Sequence, residues 1–108
     1  MKNDRVISLL GLAAKAGLLA SGEFACEKAV KAGSARLLVV AADSSENTKK
    51  KFEDMCRFYP TPLLFYSDRE KIGQGIGKEY RACAAVLDAG FAAAIEKAAA
   101  AGINQTDN

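Results

Sequence analysis

The chain has 108 residues and a formal net charge of +2, and half of its residues are hydrophobic. This length fits one domain, and the composition is that of an ordinary globular protein with a buried core. The charge is too small to mark the whole chain as a polycation, although fifteen Lys and Arg residues can still lie together on one face. Composition therefore permits nucleic-acid binding without indicating it.

The sequence provides little support for catalysis, metal binding or membrane insertion. It contains no histidine, which is the commonest general base and metal ligand. Cys26, Cys56 and Cys83 are too widely spaced for a zinc site and fit buried residues of a cytoplasmic protein. No apolar run approaches the roughly 20 residues of a membrane span. We expect a cytoplasmic protein with no catalytic residues, no metal and no cofactor.

The first half of the chain alternates helical patterns with short apolar runs. Apolar residues spaced by three and four predict helices, and short aliphatic runs predict strands. In chain order, the elements are a helix capped by Asn3 or Asp4 and ended by Gly17, a strand at 18–20, a helix opened by Ser21-Gly22 and ended by Gly33, and a strand at 36–41. The continuous apolar run of the last strand predicts burial on both faces.

The second half continues the alternation and completes one domain. Its elements are a helix from Asp43-Ser44-Ser45 to Pro60, a strand at 63–66, a short helix with a capping box at 67–70, a loop formed by Gly73, Gly75 and Gly77, a strand at 82–87 and a helix at 90–101. Residues 1–102 should form a single domain and residues 103–108 a polar tail. Alternation of this kind predicts an α/β fold with a largely parallel sheet.

Two basic or glycine-rich segments attract functional interpretations that their context does not favour. The run from Gly73 to Lys78 suggests a phosphate-binding loop, but it follows a helix and precedes a strand, which is the reverse of the required order. We interpret it as a flexible connector rather than a nucleotide site. The lysines at 49–51 stand four residues before acidic residues, so they predict a solvated helix face.

The segment that begins at Ser21-Gly22 is better suited to binding. A helix start offers unpaired backbone N–H groups and the positive end of the helix dipole to a phosphate. If Cys26 faces the core, Phe24 and Lys28 lie side by side on the outer face, because they are four residues apart. An aromatic ring beside a cation can stack on an unpaired nucleotide and neutralise its phosphate. The alternative is that Phe24 packs into the core and Lys28 is only solvated.

Three long segments resemble the L7Ae/L30e ribosomal-protein family of kink-turn RNA binders, most closely its bacterial YlxQ-like branch. They are LLGLAAKAGLLASGEFACEKAVKAG, ARLLVVAADSSENTKKKF and LFYSDREKIGQGIGKEYRACAAVLDAGFAAAI. The resemblance implies a three-layer α/β/α sandwich with a four-stranded mixed sheet. It also implies binding of sharply bent RNA by the start of the second helix and the loop before the last strand. The partner would be structured RNA, ribosomal or other, with an association with the ribosome, and we expect a monomer.

The family's RNA-binding motif is matched only in part. That motif is a Gly followed by a small residue, Asn, Glu, two variable residues and Lys, and Gly22 and Lys28 match it here. Phe24 and Ala25 stand at the Asn and Glu positions, whose side chains contact sheared G·A pairs in the family. Neither can make those hydrogen bonds, so affinity for a standard kink-turn should fall by about a hundredfold or more.

The sequence therefore predicts a non-enzymatic RNA-binding protein. Its predicted RNA-binding residues are Gly22, Glu23, Phe24, Lys28, Lys31, Arg36, Lys78, Tyr80, Arg81 and Ala82. The five cations among them would contact phosphates, so binding should weaken as salt rises. Tyr80 and Arg81 would stack on a flipped-out nucleotide. Two alternatives stay open: a family member that has lost kink-turn recognition and contacts protein through an apolar patch at Phe24 and Tyr80, and a nucleotide enzyme that uses the glycine loop.

Overall fold

The computed structural model describes the backbone of residues 4–106 and the side chains of residues 4–101. In chain order the elements are α1 (Arg5–Lys15), β1 (Leu19–Ser21), α2 (Glu23–Lys31), β2 (Leu37–Val40), α3 (Glu46–Phe58), β3 (Leu63–Phe65), α4 (Arg69–Gly75), β4 (Cys83–Val86) and α5 (Ala89–Thr106). Every predicted helix and strand is present, with ends that differ by a few residues. Helix α5 continues past the predicted end at Ala101, and residues 107–108 of the predicted tail lie outside the described residues.

The four strands form one mixed sheet in the order β1-β4-β2-β3. Strand β4 is antiparallel to both of its neighbours, and only β2 and β3 are parallel. The mixed sheet implied by the family resemblance is therefore confirmed, and the largely parallel sheet predicted from alternation is wrong. The reason lies between α4 and β4, where the chain turns at Gly77 and returns along α4. Strand β4 consequently starts at the edge where the other three strands end.

Helices cover both faces of the sheet and bury two separate apolar clusters. One cluster joins α1, α4 and α5 to the sheet and includes Leu10 and Ile95, while the other joins α2 and α3 to it and includes Cys26 and Phe52. Alternate residues of β2 enter alternate clusters, and all four are buried. This confirms the predicted two-sided burial of that strand and the three-layer α/β/α arrangement.

Gly73 and Gly75 lie inside α4, so the loop predicted at these residues is wrong. Both glycines are sites of close packing. A Cβ atom on Gly73 would lie 2.6 Å from the carbonyl oxygen of Glu79, and one on Gly75 would collide with the Ile7 side chain. Of the three glycines predicted to form the loop, only Gly77 adopts a turn conformation, with φ of 80°. Glycine content misled the sequence interpretation because close helix packing and loop flexibility require the same residue.

Helix starts are capped by side chains at α1, α3 and α4. Asp4 accepts a hydrogen bond from the Ile7 amide at 3.1 Å, and Ser45 accepts one from the Thr48 amide at 3.1 Å. Asn3, the other predicted cap of α1, lies outside the described residues. Asp68 caps α4, accepting from the Lys71 amide at 2.8 Å.

The predicted capping box at 67–70 is one residue out of register. Ser67 has a positive φ of 57° and its carbonyl accepts a hydrogen bond from the Ala42 amide, so it belongs to the turn before the helix. Asp68 supplies the cap instead. No helix in the described part of the chain is long and apolar enough to cross a membrane.

Candidate functional site

One edge of the sheet gathers most of the predicted site. The last residues of β1, β2 and β3 meet the first residues of β4 there, since Val40 pairs with Cys83 and Phe65, and Ser21 pairs with Ala84. We call this the junction edge, and it comprises residues 21–24, 41–45, 66–69 and 80–82. Four helices, α1 to α4, start at this edge. Asp4 at the start of α1 accepts a hydrogen bond from the hydroxyl of Tyr66, at 2.9 Å.

Helix α2 is the one of these four that begins without a side-chain cap in the described structure. Its N-cap is Gly22, with φ of 92° and ψ of 155°, a conformation that is essentially restricted to glycine. The Gly22 amide donates to the Cys83 carbonyl at 3.1 Å, which fixes the helix start against β4. The amides of the first turn therefore point toward the junction edge with no side chain to accept from them, as a ligand-binding helix start requires.

Phe24 and Lys28 are both exposed on the outer face of α2. The Phe24 side chain is 80% exposed, whereas Cys26, Ala29 and Val30 are buried. The core-packing alternative for Phe24 is therefore wrong, and the predicted division of α2 into a buried and an exposed face is confirmed. An exposed phenylalanine one turn from a lysine presents an aromatic surface and a positive charge together.

Glu23, one of the residues predicted to contact RNA, is engaged with α3. The Lys51 Nζ lies 3.4 Å from Glu23 Oε1 and is also paired with the Glu27 carboxylate. The hydrogen bond to Glu27 raises the pKa of Lys51, and Glu23 adds to this effect. Lys51 thus compensates the two acidic charges of α2, which would otherwise repel a phosphate near Lys28.

The segment from Lys78 to Ala82, which we call the strap, returns along α4 to the junction edge. The Lys78 amide donates to the Gly73 carbonyl at 2.7 Å, and the Arg81 amide donates to the Arg69 carbonyl at 3.1 Å. At its end, the Ala82 carbonyl accepts from the Ala41 amide at 2.7 Å and starts the ladder between β4 and β2. The strap is therefore tied to α4 at two points and to the sheet at its end.

Arg81 connects the strap to the start of α2. Its Nε donates to Ser21 Oγ at 3.3 Å, and its Nη1 donates to the Tyr80 carbonyl at 2.7 Å. Ser21 immediately precedes Gly22, so the guanidinium lies beside the uncapped helix start. The Tyr80 side chain is 63% exposed next to it. The structure thus brings Gly22, Phe24, Tyr80, Arg81 and Ala82 to one edge.

The remaining predicted cations do not lie at the junction edge. The Arg36 amide donates to the Val86 carbonyl at 2.7 Å, which places Arg36 at the opposite edge of the sheet. Lys31 ends α2, roughly 12 Å along the helix axis from Glu23. Lys78 lies at the far end of the strap, beside Gly73. Of the predicted cations, Lys28 and Arg81 bring positive charge close to the start of α2.

Ion pairs separate the cations of this chain into two groups. In the structure between residues 4 and 101, the five cations predicted to contact RNA form no ion pair with a carboxylate. The cations that do form ion pairs in this part of the chain all lie in α3 and α4: Lys49, Lys50, Lys51, Arg57, Arg69 and Lys71. Lys50 makes its predicted pair with Asp54, at 3.6 Å, but Lys49 pairs with Glu46 at 3.9 Å rather than with Glu53. Positive charge available to a phosphate is therefore concentrated outside α3 and α4.

Arg69 is a residue of the junction edge that sequence reasoning missed. Its Nε lies 3.5 Å from Asp43 Oδ1, its amide donates to the same oxygen at 3.0 Å, and its carbonyl holds the strap through Arg81. The sequence offered one signal: Arg69 follows β3 much as Glu23 follows β1. Strand order was needed to show that the two helix starts share an edge.

The three cysteines are buried, as predicted. Its hydrogen bond with Cys83 and then its burial raise the pKa of the Cys26 thiol, and burial raises the pKa of Cys56. Cys26 also donates to the Ala20 carbonyl, with Sγ 3.6 Å from the oxygen. Since the thiolate is the reactive form, Cys26 and Cys56 act as packing residues of the core.

The structure is a three-layer α/β/α sandwich with an open helix start beside the strap. Comparison with known proteins identifies the family that has this fold. Residues 4–96 match the Ribosomal protein L7Ae/L30e/S12e/Gadd45 family. The chain belongs to this family.

Two curated relatives and two solved structures are similar to the chain. "RNA-binding protein YlxQ" of Bacillus subtilis (strain 168) is 42% identical over 84 residues, covering 78% of this chain and 84% of that protein. "RNA-binding protein YlxQ" of Enterococcus faecium is 38% identical over 89 residues, covering 82% and 85%. The structure of a protein of unknown function from Bacillus halodurans superposes with a TM-score of 0.85 at 38% identity, covering 89% of this chain and 97% of that one. The Giardia lamblia 15.5kD RNA binding protein superposes with a TM-score of 0.73 at 18% identity, covering 93% and 92%, and shows the shared fold.

Proposed function

We propose that this protein binds structured, sharply bent RNA at the junction edge and does so without catalysing a reaction. The observation that carries the proposal is the start of α2, which alone among the four helix starts of that edge has no side-chain cap in the described structure. Exposed Phe24 and Lys28 stand on the same helix, and Arg81 lies beside its first residue. Membership of the family and the RNA-binding names of the two relatives support the same function.

The amides of the first turn of α2 would donate to a phosphate, and Lys28 and Arg81 would stabilise its charge. Phe24 and Tyr80 would supply flat surfaces for unpaired bases, which are the parts of RNA that proteins read most readily. The helix start and the strap adjoin at the junction edge, where Arg81 Nε lies 3.3 Å from Ser21 Oγ, so one RNA could contact both. A sharply bent RNA, which the family resemblance implies, would place a phosphate at the helix start and an unpaired base at the strap.

Recognition would differ in chemistry from the family's motif. Phe24 and Ala25 occupy the positions of the Asn and Glu that contact sheared G·A pairs, and neither side chain can donate or accept a hydrogen bond. Backbone contacts, charge and stacking would take over from side-chain hydrogen bonds. We propose that affinity for a standard kink-turn is correspondingly reduced and that an unpaired base contributes more of the specificity.

Lys31, Arg36 and Lys78 would act as outer phosphate contacts, because they lie away from the junction edge. Such contacts raise affinity for any RNA long enough to reach them and add little discrimination. Structured RNA, ribosomal or other, would be the partner of a cytoplasmic monomer, and association with the ribosome would follow if the RNA is ribosomal.

The proposal is tested by measuring the dissociation constants of the wild-type protein for a kinked RNA and a straight duplex of equal length, over a series of salt concentrations. We expect tighter binding of the kinked RNA at every salt concentration, and weaker binding of both as salt rises. Equal affinity for the two RNAs would contradict shape selection. Binding of neither, together with capture of a protein partner that Phe24→Ala abolishes, would favour the protein-contact alternative.

A further inference from the structure

The strap lies directly on the backbone of α4 at Gly73. A Cβ atom built on Gly73 would be 2.6 Å from the Glu79 carbonyl oxygen, 2.8 Å from the Glu79 carbonyl carbon and 2.9 Å from the Tyr80 Cα. All three neighbours are backbone atoms, so rotation of a side chain cannot relieve the contact. An alanine at this position could be accommodated only by moving the strap or α4 by roughly 1 Å, since nonbonded atoms prefer separations of about 3.5 Å.

The point of contact falls between the two hydrogen bonds that tie the strap to α4. The Lys78 amide is bonded to the carbonyl of Gly73 itself, and the Arg81 amide is bonded to that of Arg69. Glu79 and Tyr80 are therefore held against α4 at a position where the helix presents no side chain. The contact between the strap and α4 is therefore made by backbone atoms of both segments.

We propose that Gly73 is a positioning residue for RNA recognition, which sets the place of Tyr80 and Arg81 without contacting RNA. The inference rests on the proposed function of the junction edge. Arg81 shows why a small displacement matters: its Nε is 3.3 Å from Ser21 Oγ and its amide 3.1 Å from the Arg69 carbonyl, both near or beyond the long end of ordinary hydrogen bonds. A shift of the strap breaks the link between Arg81 and the start of α2, and moves Tyr80 with it.

Gly75 provides a matched control on the same helix. It is also a site of close packing, but its neighbour is the side chain of Ile7 in α1 rather than the strap. Gly75→Ala and Gly73→Ala both insert one methyl group into a tight contact of α4. The first perturbs the packing of α4 on α1, whereas the second perturbs the strap.

The test compares the two variants with the wild-type protein in RNA binding and in amide hydrogen exchange. We expect Gly73→Ala to lower affinity for kinked RNA by about tenfold or more, as loss of one or two contacts at the interface would. The amides of Lys78 and Arg81 should exchange faster in Gly73→Ala and at the wild-type rate in Gly75→Ala. Both variants should show a lower melting temperature, while Gly75→Ala should bind kinked RNA within about threefold of wild type.

Wild-type affinity in Gly73→Ala, or an equal loss in Gly75→Ala, would overturn the inference while leaving the proposed function intact. A wild-type protein that binds kinked and straight RNA equally would overturn the proposed function itself, before either variant is considered. A third variant separates position from stability. In a Tyr80→Ala background, the effect of Gly73→Ala on affinity should shrink, because one of the two groups that it displaces is already absent.

Discussion

The starts of α2 and α4 lie at the same edge of the sheet, each directly after a strand, yet they differ in what they leave available. At α4, Asp68 caps the helix and Arg69 is paired with Asp43. At α2, Gly22 provides no side-chain cap, and Lys28 is without an ion-pair partner among the described residues. The difference teaches that the helix dipole alone does not create a binding site. What decides is whether the protein's own side chains already satisfy the first turn.

The same contrast holds for charge. Lys51 of α3 pairs with two glutamates of α2. It therefore neutralises negative charge near the open helix start, but its own positive charge is not available to RNA. Lys28 and Arg81 remain available beside that start. A chain with a net charge of only +2 thus keeps Lys28 and Arg81 free of ion pairs beside the open helix start, because the nearest carboxylates of α2 are already paired with Lys51.

The largest effect should follow from changing the glycine that opens α2. Gly22→Ala forces a side chain into a backbone conformation that only glycine adopts readily, which should cost about 1–3 kcal/mol of unfolding free energy. The amides of the first turn would be re-aimed, so affinity for kinked RNA should fall by roughly a hundredfold.

Gly33→Ala is the matched control, since Gly33 has a φ of 76° just beyond the other end of α2. At both glycines an added Cβ atom would enter open space, with no neighbouring atom within 4 Å, so the two substitutions differ in place and not in crowding. Gly33→Ala should lower the melting temperature and leave RNA affinity within about threefold of wild type. Equal losses of RNA affinity in both variants would show that general strain, and not the open helix start, determines binding.

Removing the exposed aromatic ring of α2 should have the next largest effect. Phe24→Ala should weaken binding by about tenfold, the value of one stacked base, and leave stability unchanged because the ring is 80% exposed. Phe58→Ala is the control, since Phe58 is 78% exposed at the end of α3. Equal RNA affinity of the two variants would exclude stacking on Phe24.

The charge at Lys28 should contribute a smaller and salt-dependent part. Lys28→Ala should weaken binding by roughly fivefold and reduce the slope of log affinity against log salt by about one. The effect should be similar for kinked and straight RNA, because a phosphate contact carries no shape information. Lys97→Ala, an exposed charge on α5, should leave both the affinity and the slope unchanged.

The smallest effect concerns Tyr66, which donates a hydrogen bond to Asp4 at the capped start of α1, and it changes stability without changing RNA affinity. Burial, with the hydrogen bond to Asp4, raises the pKa of Tyr66 to about 12 from an ordinary 10.0. Between pH 10 and pH 12 the Tyr66 hydroxyl therefore keeps its proton in the folded protein and loses it in the unfolded chain. The contribution of Tyr66 to the free energy of unfolding is present below pH 10 and is lost as pH rises toward 12. Chemical unfolding measured from pH 10 to pH 12 should show a steeper fall in the free energy of unfolding for wild type than for Tyr66→Phe. RNA affinity near neutral pH should be the same for both.

The sequence predicted the parts of the fold and site that depend on local pattern. The burial of β2 followed from its continuous apolar run, and the exposure of Phe24 followed from the spacing of Cys26, Ala29 and Val30. The element order and the family resemblance together indicated the α/β/α sandwich. These features are set by periodicity within one segment or by similarity along the whole chain.

Features that depend on which segments meet could not be predicted in this way. Strand alternation does not specify that β4 lies between β1 and β2, and it led to the wrong, largely parallel sheet. The sequence pattern placed Gly73 in a loop because its neighbour Glu79 comes into contact only after the strap folds back. The pairing of Glu23 with Lys51 and the position of Arg36 at the opposite edge likewise depend on tertiary structure.

The contrast between the two helix starts can be measured directly by recording amide chemical shifts of the labelled protein during titration with kinked RNA. The open start predicts the largest shifts at residues 22–25 and 80–82, with small shifts at the first turn of α4, whose amides are already capped by Asp68. Shifts that are largest at α5 or at the opposite edge, around Arg36, would contradict the assignment of the binding site.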